Sequence, residues 1–590
     1  MKIETLDRVN YFVKKYTGDT ISLAELLCDK HPEINLAFRI IEQDQSFIDI
    51  SYKELREESE KLASGLIEEG VVPGDRIAML MGKSKEFIVS LVAIWRVGGV
   101  YVPLFTAFST PAVELRLKES NAKYIICDKI QLPKLESIAR DAKTNLKHII
   151  VTAPKKEIPN FCSAWDAYLS AVKQKEYPVL NSQSPFIHIF TSGTTGQPKG
   201  VVLPLKALAT LHAYAEFGLD LRSDDIFWNA ADPGWAYGLF CGIIVSLATG
   251  IPSILLKGSF NPDLTLSILE NHRVTNFTAA PTVYRAIKSS TDILSKEFSI
   301  RCMSSAGEPL TPDVNQWALK FFGIPVHDHY GQTEASMIIN NSHNSNLQRK
   351  LRVGSMGMAM PGWDVIVLKF NEDIPCEVGE VGRIAVDISS SPFAWFEGYI
   401  GNKEKSDEKF SKNGEFYLTG DTGKKDKNGY FYFISRDDDV IIMAGYRIGP
   451  FEVEAALSTN PAVNECAVIA APDNIRGEVI EAFVVLKPNY LASEELTKLL
   501  QEWVKTKFAA HAYPRSIHYV NSLPKNPILN KLKYLLKTLI STTIPILHNL
   551  KYQINPILPP IPTSKIFLHT INLINNTHQL LILLIYISNK

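Results

Sequence analysis

Apolar residues recur along the first 525 positions with two alternating periods. Between 52 and 70, Leu55, Leu62, Leu66 and Ile67 share one face of a 3.6-residue repeat, which predicts an amphipathic helix. A short apolar run at 76–81 follows a Pro-Gly-Asp turn and predicts a buried strand. The segment 87–97 again reads as helix, and the runs at 124–127, 148–151, 186–190 and 253–256 suit buried strands. Strands alternating with helices predict layered α/β architecture with largely parallel sheets. No internal repeat is visible. After Asp421 the pattern changes: polar turns crowd 424–429 and an acidic cluster occupies 437–439. This predicts a boundary at 436–440. Beyond it, 441–520 reads as a short α/β module with a helix at 451–458 and strands at 467–470 and 481–486.

The alternation stops near the C-terminus. From 521 to 590 there is no Ala, Val, Gly, Asp or Glu, although these are among the commonest residues in protein. Residues 526–590 hold 13 Ile and 14 Leu among Asn, Lys, Thr, Pro and Ser. The five missing types share codons that begin with G, a base that a shifted frame loses. The reading is out-of-frame translation of an AT-rich gene, with a genuine low-complexity tail as the alternative.

Composition narrows the function. The 590 residues carry 62 Lys plus Arg and 63 Asp plus Glu, a net charge of -1. That balance leaves no electrostatic footprint for nucleic acid or an anionic membrane. It is also an average: the tail carries six Lys and no acid, and the preceding 525 residues carry 56 basic and 63 acidic side chains. Seven scattered cysteines without a CxxC support neither a disulfide framework nor a zinc site. The start is polar, and no run reaches the roughly 18 apolar residues of a membrane span. The expectation is a soluble cytoplasmic enzyme of several domains, its oligomeric state open.

Candidate chemistry centres on a loop. The apolar run 186–190 leads into Thr191-Ser192-Gly193-Thr194-Thr195-Gly196-Gln197-Pro198-Lys199-Gly200. Such a loop offers backbone N–H groups, hydroxyls and one cation to an anion. It is not the standard P-loop, because Gly200 stands where Ser or Thr should follow the Lys. Downstream lie Ser304-Ser305-Ala306-Gly307-Glu308-Pro309, a mere turn by composition, and Asp328-His329-Tyr330-Gly331-Gln332-Thr333-Glu334. Tyr330 can pack on a purine, and Glu334 is a hard oxygen ligand suited to Mg²⁺. Further on come Thr419-Gly420-Asp421 and Arg436-Asp437-Asp438-Asp439, then Ala444-Gly445-Tyr446-Arg447.

In this order the five motifs closely resemble the signatures of the adenylate-forming, AMP-binding superfamily, and the resemblance covers about residues 20–525. Members activate a carboxylate with ATP to an acyl-adenylate, and the acyl-CoA synthetases pass the acyl group to CoA. The resemblance implies a large N-terminal domain (1–435) of layered α/β subdomains and a hinge (436–440). It then implies a small mobile α+β C-terminal domain (441–525), incomplete here, followed by the aberrant tail (526–590). It implies ATP or AMP binding by Thr191, Ser192, Gly193, Thr194, Thr195, Gly196 and Lys199. Gly307, Glu308, Pro309, Asp328, His329, Tyr330, Gly331, Gln332, Thr333, Asp421, Arg436 and Arg447 complete that set. Lys199, Thr333, Glu334 and Arg447 would be catalytic, Glu334 would hold Mg²⁺, Asp438 would be the pivot, and Ala444 and Gly445 would meet CoA.

Asp232-Pro-Gly-Trp235-Ala-Tyr-Gly238 resembles the aromatic lining of the acyl pocket in short- and medium-chain acyl-CoA synthetases. Acetyl-specific relatives carry Trp where this chain has Gly331. The resemblance therefore implies room for a medium-chain, branched or aryl acid, and a Gly331→Trp change is expected to restore preference for small acids. The family's PKxxxGK element, whose last Lys serves adenylation, begins here as Pro524-Lys525 and then reads Ile528-Leu529-Asn530-Lys531. Asn530 stands at the Lys position, which implies impaired adenylation. A stand-alone adenylation enzyme serving a carrier protein and a dead nucleotide-binding remnant are the alternatives.

Overall fold

A computed structural model describes residues 3–523, except 140–143, 175, 192–197, 291–296, 437–438, 440, 444–445, 474–476 and 510–511. The chain divides into two compact units. The first comprises Met1–Leu310, Val314–Thr419 and Lys424–Tyr432, and the second runs from Phe433 together with Thr311–Asp313 and Gly420–Gly423.

Two sheets organise the first unit. In one, the strands Ser163–Ala164, His148–Val151, Tyr124–Cys127, Arg76–Leu80, Val100–Pro103 and Pro185–Thr191 lie side by side and parallel. The last of them turns back as Lys199–Pro204, the antiparallel edge. The apolar runs read at 76–81, 124–127, 148–151 and 186–190 are strands of this sheet, and the helices Tyr52–Glu68 and Lys85–Arg96 supply the intervening layer. Helix 52–68 starts at a capping box. Ser51 Oγ accepts from the Glu54 N–H, and Glu54 Oε2 accepts from the Ser51 N–H. Leu55, Leu62 and Leu66 are fully buried on its inner face, while Ile67, at the edge of that stripe, is half-buried.

The second sheet has a parallel centre: Leu36–Ile41, Ser253–Leu256, Phe227–Asn229, Asn276–Ala279, Cys302–Ser305 and Val326–Gln332. Helices Pro262–Asn271, Pro281–Ser290 and Pro312–Phe321 follow three of these strands. Trp228, Phe277, Met303 and Val326 form a continuous core beneath the sheet, with Leu269 and Tyr284 from the helices. The sheet then becomes antiparallel through Ser336–Asn340 and Ser355–Ala359.

The second unit is a small α+β fold. Strands Tyr446–Ile448, Ile441–Met443, Gly477–Leu486 and Val463–Asp473 are antiparallel neighbours. Ser516–Tyr519 adds in parallel to Gly477–Leu486. Helices Pro450–Ser458 and Glu494–Lys507 bury Val453, Leu457, Leu500 and Val504 against Val468 and Phe483. Segment 524–590, which contains Lys525, Asn530 and Lys531, lies outside the described residues.

Candidate active site

Three parallel strands of the first unit end level with one another: Ala279 sits beside Ser305, and Ser305 beside Asp328. Their C-terminal ends deliver 280–282, 306–309 and 329–334 to one rim, the usual place for ligands in such sheets. Residues distant in sequence therefore become neighbours.

The loop 306–309 is held from behind. Glu308 accepts from the Thr282 N–H (2.9 Å) and the Thr282 hydroxyl, and Arg285 donates to its other oxygen (2.8 Å). Its carboxylate thus caps the helix Pro281–Ser290. Gly307 has φ +95° with open space where a Cβ would stand, leaving a flat backbone on the rim.

Along Val326–Gln332, side chains alternate between faces. Asp328 and Tyr330 share one face, and His327 and His329 the other. Burial pushes the Asp328 carboxyl well above the usual carboxylate range, with Glu308 adding to the rise and backbone N–H groups opposing it. His329 departs from the expectation for a nucleotide contact. Its imidazole is buried between the Tyr214 hydroxyl (Nδ1, 2.8 Å) and the Asn341 carbonyl (Nε2, 3.1 Å), and desolvation lowers its pKa to about 3. Only its backbone is left for the rim. His327 stacks on His343 at 3.7 Å, on the same side.

Gly331 sits at a bulge in the pairing with Ser336–Asn340. A Cβ there would overlap the Ser336 carbonyl and lie 2.7 Å from Met337 Cα. The side-chain direction is filled by backbone, so a Trp at 331 would require the bulge to rebuild. Gln332 ties the turn down, donating to the Thr419 carbonyl (3.0 Å) and accepting from the Tyr417 hydroxyl (2.8 Å). The turn presents half-buried Thr333 and buried Glu334.

The strands around the Gly-rich loop pair as a hairpin with Thr191 opposite Lys199. Ser192, Gly193, Thr194, Thr195 and Gly196 lie outside the described residues. The Lys199 ammonium lies 5.0 Å from the ring centre of Tyr399, whose hydroxyl donates to Glu334 Oε1 at 2.6 Å. Sequence reasoning missed Tyr399, one aromatic in a mixed run; the Gly398 before it was the available signal.

Trp235 opens the short helix Ala236–Gly238 and packs on Phe105 (5.7 Å) and Phe108 (5.4 Å). Its Nε1 is buried without a hydrogen-bond partner among the described residues.

In the second unit, Asp421 is 3% exposed, and Arg436 Nη1 lies 3.1 Å from its Oδ1. An anionic acceptor held by a guanidinium suits a diol. Arg447 lies on the strand Tyr446–Ile448, opposite Ile442. Asp438, Ala444 and Gly445 lie outside the described residues.

Mg²⁺ commonly takes one or two carboxylates plus substrate phosphates. Glu334 fits that pattern, since among the described residues only Tyr399 donates to it, at one oxygen. Among the described residues no group of three or more His, Cys, Asp or Glu is placed to hold a metal by itself.

The level ends of three parallel strands thus lie in the same unit as a hairpin cation, Lys199, and a buried carboxylate, Glu334, which share the side chain of Tyr399. Residues 29–399 match the family of AMP-binding enzymes and residues 452–528 its C-terminal domain, and the chain belongs to that family. Among relatives, the mitochondrial acyl-coenzyme A synthetase ACSM4 of Rattus norvegicus is 36% identical, over 82% of this chain and 83% of its own. The uncharacterized acyl–CoA ligase YtcI of Bacillus subtilis (strain 168) is 35% identical, over 80% and 87%. The crystal structure of Brucella canis acyl-CoA synthetase has 37% identity and TM-score 0.71, covering 92% of this chain and 99% of that one. The anthranilate CoA ligase AuaEII, solved with anthranoyl-AMP, has 25% identity and TM-score 0.81, covering 90% and 99%. The protein is an AMP-forming acid–thiol ligase of the acyl-CoA synthetase type, a class that uses ATP, Mg²⁺, CoA and a carboxylic acid. Among the described residues no helix is long and apolar enough to cross a membrane.

Proposed function

We propose that the chain acts on a medium-chain, branched or aryl acid, and that its adenylation half-reaction is impaired. The observation that carries the substrate reading is the aromatic wall of Phe105, Phe108 and Trp235. Each buried methylene contributes about 0.8 kcal/mol, so an apolar wall favours longer acids over acetate. An anthranilate and a benzoate CoA ligase are among the similar solved structures.

In the reaction, the carboxylate attacks the α-phosphorus of ATP and pyrophosphate leaves. Positioning and charge stabilisation dominate such a step. The Gly-rich hairpin with Lys199 holds the phosphates, and Thr333 donates to the α-phosphate. Asp421 and Arg436 hold the ribose, and Tyr330 and the 304–309 loop bracket the adenine. Arg447 adds a guanidinium to the phosphates. Glu334 would hold Mg²⁺, which neutralises triphosphate charge when bound. The small domain, 441–525, turns about Asp438 and brings Ala444 and Gly445 to the CoA channel, a gating step.

Asn530 in place of Lys weakens the first step and leaves thioester transfer largely intact. The match to the C-terminal family domain ends at 528, beside the compositional break, which supports an out-of-frame tail. The compartment we infer is the cytoplasm. The test supplies each half-reaction separately. Hydroxylamine-trapped adenylation over an acid panel should be slow and peak beyond acetate, whereas transfer from a preformed acyl-adenylate to CoA should be near normal. Normal pyrophosphate release would overturn the impairment. ATP binding without turnover in either half would favour the remnant, and carrier-protein acylation without CoA turnover the stand-alone adenylation enzyme.

A further inference from the structure

We propose that Tyr399 is a positioning residue that sets Glu334 and Lys199 together, one through its hydroxyl and the other through its ring face. The inference rests on the reading of Glu334 as the carboxylate shared with Mg²⁺. Tyr399 is 6% exposed, and two of its contacts reach groups from different segments. The hydroxyl donates to Glu334 Oε1 at 2.6 Å, the short distance of a charge-assisted bond. That bond fixes the carboxylate's rotation and directs the other oxygen away from the phenol. The Lys199 ammonium sits over the ring at 5.0 Å, within cation–π range.

The tyrosine is itself held from several sides. Ser406 Oγ accepts from its N–H at 2.8 Å and donates to the Asn402 carbonyl at 2.7 Å. Gly398 makes that approach possible: it has φ +138°, and a Cβ there would stand 2.9 Å from Ser406 Cβ. The next residue, Ile400, donates its N–H to the carbonyl of Gly200 at 3.1 Å, directly after Lys199. Phe396 packs edge-on against the ring at 5.2 Å. The segment 396–406 therefore braces the base of the Gly-rich hairpin and the acidic turn with one side chain. A residue needed only for packing would not require a phenol hydroxyl aimed at a buried carboxylate.

The two functions separate by substitution. In the full chain, Tyr399→Phe keeps the ring and loses the hydroxyl, and Tyr399→Leu loses both. ATP binding is measured by calorimetry across a Mg²⁺ titration, with circular dichroism melts as the check on folding. Tyr399→Phe should raise the half-saturating Mg²⁺ about tenfold, the loss expected for one charge-assisted bond, and leave Mg²⁺-free ATP affinity unchanged. Tyr399→Leu should in addition weaken Mg²⁺-free ATP binding several-fold. In a Glu334→Gln background, Tyr399→Phe should add nothing. Should the Phe variant melt early, Ser406→Ala frees the tyrosine's backbone without touching either partner and should raise the Mg²⁺ requirement likewise. A wild-type Mg²⁺ requirement in Tyr399→Phe, or a further loss in the Glu334→Gln background, overturns the proposal. A wild-type chain whose ATP binding ignores Mg²⁺ overturns the reading of Glu334, and the proposal with it.

Discussion

Replacing Glu308 by Ala should loosen the loop 306–309 from the helix behind it. The carboxylate makes three contacts: the Thr282 N–H, the Thr282 hydroxyl and Arg285. Losing a helix cap is worth about 1 kcal/mol. Losing a charged partner from Arg285 adds about 1–2 kcal/mol, discounted because the Arg285 and Glu308 side chains are 22% and 16% exposed. The expected loss is about 2–3 kcal/mol of local stability, or roughly 30- to 150-fold faster hydrogen exchange in the first turn of helix 281–290. Glu308→Gln keeps an acceptor for the Thr282 N–H and forfeits the charge, so it should lose about 1 kcal/mol. Exchange mass spectrometry over peptides spanning 276–290 reads the helix, and ATP titration reads the rim. ATP affinity should fall in the same rank order. Lost ATP affinity with unchanged exchange would mean that Glu308 acts on the nucleotide directly, and would refute its role as a brace.

Other expectations follow from the same geometry. Burial holds His327 down to about 4 and His329 to about 3, against an ordinary 6.5. Both are neutral when folded and take protons when unfolded, so their contribution to stability is full above pH 6.5. It falls as the pH drops toward 4, by about 1.4 kcal/mol per pH unit for each histidine; melting temperature across pH 7.5 to 4.5 should follow, and a flat profile would contradict it. Trp235→Ala should raise KM for aryl or medium-chain acids about tenfold or more and leave acetate little changed, read in the hydroxylamine assay; equal effects on all acids would remove Trp235 from the pocket. Ser51→Ala should cost about 1 kcal/mol at the start of helix 52–68, seen as faster exchange of the Glu54 amide. Gly398→Ala meets both an unfavourable φ and Ser406, and should mimic the raised Mg²⁺ requirement of Tyr399→Phe; normal Mg²⁺ dependence would show that the segment accommodates a methyl group.

The elements that the sequence made legible are those whose apolar pattern was strong. Buried parallel strands such as Tyr124–Cys127 and Ser253–Leu256 are nearly continuous apolar runs, and helix 52–68 shows both its stripe and its cap. The strands Val326–Gln332 and Ser355–Ala359 were invisible because polar residues and glycine break up any apolar run, and pairing with neighbours makes them strands. At the site, motif order gave the loops but not the direction of each side chain. Period-two alternation through Asp328 and Tyr330 would have turned His329 inward, where it lies. No local pattern could show the bulge at Gly331 or the contact from Tyr399 to Glu334, because each depends on a distant segment.

The small unit closes its sheet with Ser516–Tyr519, laid parallel to Gly477–Leu486, and Leu523 is already 4% exposed within its core. The last strand and the last described core residue of this unit therefore both precede Pro524, upstream of the position where the proposed reading puts the adenylation lysine. On that reading, a change at Asn530 leaves these core contacts untouched, so an assay of folding and an assay of adenylation report on different parts of the chain.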